Sequence, residues 1–201
     1  MLIGNCHTMK ILKFGGKSLA NDGIEKVIDI IITSHKEPLS VVVSARGNTT
    51  DELEALLEKA SKGEDYTADF QQMKDEQQYN NSVSFEPEFQ LLEKLLEGVS
   101  LLKDYSPKTK DLVLAQGELM SAKLVTALLK RKGLESTFVD SREIFKTDAV
   151  VGNAQIINSI SEKLTHDRFA TISPNCVAVV TGFIASTEKG DTTTLGRNGS
   201  N

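Results

Sequence analysis

The apolar positions of this chain switch repeatedly between the period of a strand and that of a helix. Residues 10–14 (KILKF) alternate into a short strand, which Gly15 and Gly16 break. Asn21 or Asp22 is placed to cap a following helix whose apolar face holds Ile24, Val27, Ile28 and Ile31. Residues 39–45 (LSVVVSA) form a continuous, largely β-branched run, as in a parallel strand buried on both faces. Strand, glycine turn, helix and buried strand make the βαβ unit of a doubly wound sheet.

Residues 51–131 read as mostly helical. Asp51–Ala60 is amphipathic, with Leu53, Leu56 and Leu57 on one face. Residues 66–84 are rich in Gln, Asn, Asp and Lys, with Phe70 and Met73 as sparse anchors, and read as a solvated helical insertion. Helices are expected over 88–96 and 109–130, the second anchored by Leu112, Leu119, Leu124, Leu128 and Leu129 and stopped by Gly133. A strand over 136–139, a helix over 153–164 and a buried strand over 177–181 follow. Residues 185–195, with Lys189-Gly190-Asp191 between Thr-rich segments, suit a hairpin. The pattern is one α/β lobe.

Composition narrows the function classes. The 201 residues are 39% hydrophobic, enough for a real core, and carry a net charge of −5, which gives no footprint for nucleic acid. Any site for an anion must therefore be positive locally. The two cysteines, Cys6 and Cys176, make no disulfide framework and point to reduced thiols in a cytoplasmic protein. No apolar run approaches the roughly 20 residues that cross a membrane. Residues 1–9 read as a disordered leader, with Met9 a plausible first residue.

Two glycine motifs carry the chemistry: LKFGGKS near the start and TTTLGRNGSN at the end. Glycines let the backbone approach a ligand and turn N–H groups towards it, while Lys13, Lys17 and Arg197 add positive charge. The GKS of residues 16–18 is not a P-loop, because Ile11 stands where the first glycine belongs. Ser44 and Thr50 lie past the carboxyl end of the buried strand, where ligands collect in open α/β sheets. Thr49 or Thr50 also suits the cap of the helix from Asp51, a role compatible with binding. Glu118 sits on an apolar helical stretch, where a carboxylate needs exposure or a cationic partner. Arg142 reads as an ion-pair partner of Asp140. His7, His35 and His166 have no partner spacing for a metal site or a triad.

In order and spacing, KFGGKS, VVVSARGNTTD, QGELMS, FVDSREI, VVTGFIAS and TTTLGRNGS resemble the aspartate kinase family. The resemblance covers residues 10–201, although 61–98 adds nothing diagnostic. LEGVSLLKDYSP and the Asn of GRNGS look most like the kinase portion of bifunctional aspartokinase–homoserine dehydrogenases. The resemblance implies the amino-acid kinase (carbamate kinase-like) fold, a three-layer αβα sandwich with a mainly parallel sheet. Residues 10–201 would be its N-terminal, aspartate-binding lobe, ending before the nucleotide-binding lobe and inactive without it.

The implied reaction moves the γ-phosphoryl of ATP, with Mg, onto the β-carboxylate of L-aspartate. The product, 4-phospho-L-aspartate, opens the route to lysine, threonine and methionine, in a cytoplasmic homo-oligomer. By the same resemblance Lys13 holds the transferring phosphoryl, and Gly15, Gly16, Gly199 and Ser200 contact the phosphates. Arg197 grips the substrate α-carboxylate, Glu118 takes the α-ammonium, and Ser44 and Thr50 hydrogen-bond the substrate; no protein metal ligand is implied. Two positions depart from the family, which usually has Thr at Lys17 and Asp at Asn201. The competing expectations are another amino-acid kinase, of the glutamate 5-kinase or acetylglutamate kinase type, and a degenerate, non-catalytic binding module.

Overall fold

The computed structural model describes residues 9–79 and 82–196. Four parallel strands form the central sheet: β1 (Lys10–Phe14), β2 (Leu39–Val43), β3 (Ser136–Val139) and β5 (Val177–Thr181), in the order β1-β2-β5-β3. Three more, β4 (Lys146–Thr147), β6 (Ile184–Thr187) and β7 (Thr192–Thr194), form a small second sheet in which β6 and β7 are the expected hairpin. Register pairs Phe14 with Val43 and Val43 with Thr181, so the carboxyl ends of β1, β2 and β5 finish side by side.

Every residue of β5 is buried, as is all of β2 except the half-buried Val42. On one face Leu39, Val41, Val43, Val177 and Val179 pack under α1 (Gly23–Ser34) and α5 (Pro107–Arg131), backed by α2 (Thr49–Lys62) and α4 (Glu86–Leu102). On the other, Val139, Ala178 and Val180 meet Phe169 of α7 (Asn158–Ala170) and Ile144 of α6 (Ser141–Ile144). Helices therefore cover both faces, the three-layer αβα arrangement expected. A short 3-10 turn, Gly16–Leu19, follows β1, and α3 (Thr67–Gln77) follows α2.

Helix α5 organises the larger face. Ser106 caps it by accepting the Thr109 N–H at 3.1 Å, Pro107 opens it, and Gly133 leaves it in the left-handed region at φ 82°. Its buried residues run all round the axis rather than along one stripe, so Val113, Ala115, Met120 and Val125 are anchors as much as the leucines, and Leu112 is only half-buried. By length and composition α5 matches a membrane span, against the sequence expectation, but 83% of its most apolar window is buried inside the protein. It is the core helix.

Other boundaries move for local reasons. The helix expected over 153–164 starts at Asn158, because Ala154 N–H donates to the Thr194 carbonyl and Ile157 N–H to that of Lys146, tying 153–157 to the small sheet. The helix expected from Asp51 starts at Thr49, with Asn48 at the cap position. Neither threonine is the cap, and Thr49 Oγ1 instead donates back to the Arg46 carbonyl at 2.6 Å. The helix expected over 88–96 runs from Glu86 to Leu102. Asp22 occupies the cap position of α1 without a side-chain bond, and Asn21 is left-handed at φ 46°.

Gly16 is where the fold is tightest. A Cβ there would collide with the Ala45 carbonyl oxygen, whereas one on Gly15, extended at φ −77°, meets nothing within 4 Å. Gly16→Ala is therefore expected to destabilise by about 1–3 kcal/mol, lowering Tm by about 2–4 °C for each kcal/mol, while Gly15→Ala stays near wild type. Thermal melts followed by circular dichroism check this; equal melting of the two variants contradicts it.

Candidate active site

The site lies where the carboxyl ends of β1 and β2 meet the middle of α5. Ser44 N–H donates to the Phe14 carbonyl at 3.2 Å and Gly47 N–H to that of Gly16 at 2.9 Å, so the 44–48 loop lies along the glycine turn. On its far side Gly117 of α5 lets the loop in: a Cβ there would sit 3.0 Å from Ala45 Cβ and 3.2 Å from Thr49 Cγ2. Ala45 is thus held between two glycines. The packing brings Lys13, Gly15, Gly16, Ser44 and Glu118 to one end of the sheet.

Glu118 is the electrostatic centre. It is 2% exposed, and burial pushes its carboxyl up to about 8; the Ala45 main-chain hydrogen bond and the Lys13 charge oppose that rise. Among the described residues its Oε2 finds no hydrogen-bond partner. A buried carboxylate with one oxygen unsatisfied is the arrangement that a cationic ligand group completes. Lys13 and Lys17 are exposed at the two ends of the glycine turn.

Thr50, half-buried in the first turn of α2, lines a neighbouring cavity of about 460 Å³ with Asp111, Phe183, Thr194 and Gly196. At its rim Lys110 pairs with Glu54. Arg197, Gly199, Ser200 and Asn201 lie outside the described residues; Gly196, which precedes Arg197, belongs to the cavity wall. Arg142 pairs with Asp140 at 2.6 Å, away from the glycine turn, in the structural role expected of it. Among the described residues no group of three or more His, Cys, Asp or Glu side chains is arranged to hold a metal ion.

Three residues were missed in the sequence. Phe183 is a non-glycine at φ 64°, inside a tight turn closed by Ile184 N–H to the Gly182 carbonyl at 2.7 Å; nothing in VVTGFIAS signals it. Gln77, 3% exposed, donates to Thr49 Oγ1 at 2.7 Å, while Arg46 stacks over the Tyr79 ring at 5.9 Å. The polar insertion is thus solvated along α3 but anchored at its end onto the 44–48 loop, through Arg46, and onto the first turn of α2, through Thr49. Asp111 is the third, a buried acid seven residues before Glu118, and the reasoning that singled out Glu118 applies to it equally.

Residues 8–201 match the amino acid kinase family. The chain belongs to that family. It is 31% identical to lysine-sensitive aspartokinase 3 of Escherichia coli, over 94% of this chain and 44% of the relative. It is 30% identical to chloroplastic aspartokinase 1 of Arabidopsis thaliana, over 94% and 36%. A similarity of 27% to a bifunctional aspartokinase/homoserine dehydrogenase of Arabidopsis covers 94% and 22%. The chain therefore spans less than half the length of these relatives. Among solved structures, E. coli aspartokinase III in complex with aspartate and ADP superposes with a TM-score of 0.83 at 27% identity, over 94% of this chain and 44% of that one. The αβα sandwich is thus the amino-acid kinase fold, and the glycine turn and the 44–48 loop lie at the carboxyl end of its sheet, against the middle of α5 where Glu118 sits.

Burial of Glu118 sets a pH dependence. In the ligand-free protein its folded pKa, about 8, lies above the ordinary carboxyl value of 4.5, so between these limits the folded state binds more protons than the unfolded. Stability conferred on the protonated form is present below the lower limit and lost as pH rises through 8. Relative to Glu118→Gln, the wild type is expected to lose up to about 1.4 kcal/mol per pH unit across that window. Urea midpoints at pH 5, 6, 7 and 8 measure this, and parallel profiles for the two proteins contradict it.

Proposed function

We propose that this chain forms the aspartate-binding part of an aspartate kinase, which phosphorylates the β-carboxylate of L-aspartate with ATP to give 4-phospho-L-aspartate, the first step towards lysine, threonine and methionine. The observation that carries the reading is Glu118: a buried carboxylate with an unsatisfied oxygen, electrostatically coupled to Lys13 beside a glycine turn. It is supported by relatives that are aspartokinases over 94% of this chain and by a similar structure that holds aspartate and ADP.

The reaction asks for positioning and charge neutralisation more than covalent help. A β-carboxylate oxygen of aspartate gives an electron pair to form a bond to the γ-phosphorus as the bond to the ADP oxygen breaks and its pair stays on that oxygen, so no proton need move. Lys13, at the end of β1, sets its ammonium against the charge on the transferring group, and backbone N–H groups at Gly15 and Gly16, with Gly199 and Ser200, hold phosphate oxygens. Glu118 binds the α-ammonium, Arg197 grips the α-carboxylate with its planar fork, and Ser44 and Thr50 donate hydroxyls to the substrate. The magnesium ion neutralises phosphate charge when bound.

Steady-state kinetics of the native gene product that contains this chain test the assignment. Lys13→Ala is expected to lower kcat by roughly 10²–10³-fold with little change in KM, since its interaction belongs mainly to the transition state. Lys17→Thr stays within about tenfold, and Arg197→Lys raises the aspartate KM while sparing ATP. A Lys13→Ala enzyme with normal turnover beside an inactive Lys17→Thr enzyme overturns it, as does a substrate panel that prefers glutamate.

A further inference from the structure

Helix α3 buries Phe70, Met73 and Gln77, whose spacings of three and four residues put all three on one face. An apolar side chain would continue that stripe, yet the third position holds an amide, 3% exposed. Burying an amide is unfavourable unless it is hydrogen-bonded. Its partner is Thr49, the first residue of α2 and itself 1% exposed.

Gln77 Nε2 donates to Thr49 Oγ1 at 2.7 Å, and Thr49 Oγ1 donates to the Arg46 carbonyl at 2.6 Å. The carbonyl has no proton to give, so the one hydroxyl proton points at Arg46 and the amide presents its NH₂. The Thr49 N–H donates to the same carbonyl at 3.2 Å. A directed chain thus runs from the end of α3 through Thr49 into the 44–48 loop, and bonds lined up in this way strengthen one another. Ser44 and Thr50 flank the chain on either side in sequence. Thr49 Cγ2 also lies 3.2 Å from where a Cβ on Gly117 would stand, beside Glu118. A second link leaves the same segment: the Tyr79 ring meets Arg46 at 5.9 Å and its hydroxyl donates to Glu25 of α1 at 3.0 Å. Tyr79 is only half-buried, so the closed-in amide is the tighter of the two ties.

We propose that Gln77 and Thr49 are positioning residues of the substrate site: the amide holds the Thr49 hydroxyl on the Arg46 carbonyl, and so sets where the 44–48 loop and the first turn of α2 present Ser44 and Thr50. This rests on the reading of Ser44 and Thr50 as hydroxyls that bond aspartate. Gln77 and Thr49 act through that loop and not on the substrate. Gln77→Met keeps the length of the side chain and continues the apolar stripe of α3, but it has no proton to donate. Thr49→Val removes the hydroxyl and both of its bonds, and Thr49→Ser keeps it.

The test is kinetic, on the native gene product that contains this chain. Gln77→Met is expected to raise the aspartate KM roughly fivefold, with kcat and the ATP KM within about twofold. The same change at Gln71, exposed on α3, leaves all three within about twofold. Thr49→Val is expected to raise the aspartate KM roughly tenfold, and Thr49→Ser to stay within about threefold of wild type. Because both residues act through one hydroxyl, adding Gln77→Met to Thr49→Val gives no further rise. Gln77→Met supplies the readout if Thr49→Val does not fold. A Gln77→Met enzyme with an unchanged aspartate KM overturns the proposal whatever its melting temperature, as does an equal rise in Gln71→Met or a pair of effects that multiply in the double variant. A native enzyme that phosphorylates no aspartate overturns the underlying reading as well. An active native enzyme whose aspartate KM ignores Gln77 and Thr49 overturns this inference alone.

Discussion

Ala45 has no free space on either side. Its carbonyl oxygen fills the place a side chain at Gly16 would take, and its Cβ enters the gap left by the bare Cα of Gly117. This stack fixes three elements at once: the turn after β1, the loop after β2 and the middle of α5. Each contributes its site residue within a few positions of the contact: Lys13 and Gly15 from the first, Ser44 from the second and Glu118 from the third. Interiors this dense do not yield gradually, so the relative places of these groups are set by packing. The end of the α3 insertion adds to the same loop, through Gln77 on Thr49 and Tyr79 against Arg46.

The two buried acids of α5 show how one helix treats the same chemical group in opposite ways. Asp111 is supplied with two amides and a hydroxyl, and is spent on architecture. Glu118 receives a main-chain bond from Ala45 but keeps an oxygen without a described partner, and burial holds it largely protonated near neutral pH. The contrast lies in satisfaction: Asp111 has a described partner for each oxygen, and Glu118 does not. In a chain of net charge −5 the positive side of the site is assembled locally, with Lys13 as its described member at Glu118.

Much of this fold is legible in the sequence because parallel strands bury both faces and so read as unbroken β-branched runs, as in LSVVV and VAVVT. The helix over 153–164 was misplaced because its start is decided by bonds from Ala154 and Ile157 to Thr194 and Lys146, contacts between distant segments that no local period records. The two-residue β4 and four-residue α6 are too short to show periodicity. The position of the first glycine motif and of Ser44 at strand ends was legible from the run of apolar residues before them, and the burial of Glu118 from its place in an apolar stretch. Phe183 was not, since its left-handed backbone is imposed by the turn between β5 and β6. Gln77 was hidden in a polar segment where one buried amide looks like its exposed neighbours.

Glu118 as the ammonium site has a direct thermodynamic consequence. At pH 7 a carboxyl with a pKa of about 8 is mostly protonated, and an arriving ammonium group favours its ionised form. Binding must then expel a proton. Calorimetric titration of aspartate into the native gene product, in buffers of differing ionisation enthalpy, measures that proton directly. Release of roughly one proton per aspartate at pH 7, absent in Glu118→Gln, is the expected result. Binding whose heat is independent of the buffer, or proton release unchanged in Glu118→Gln, would place the substrate ammonium elsewhere.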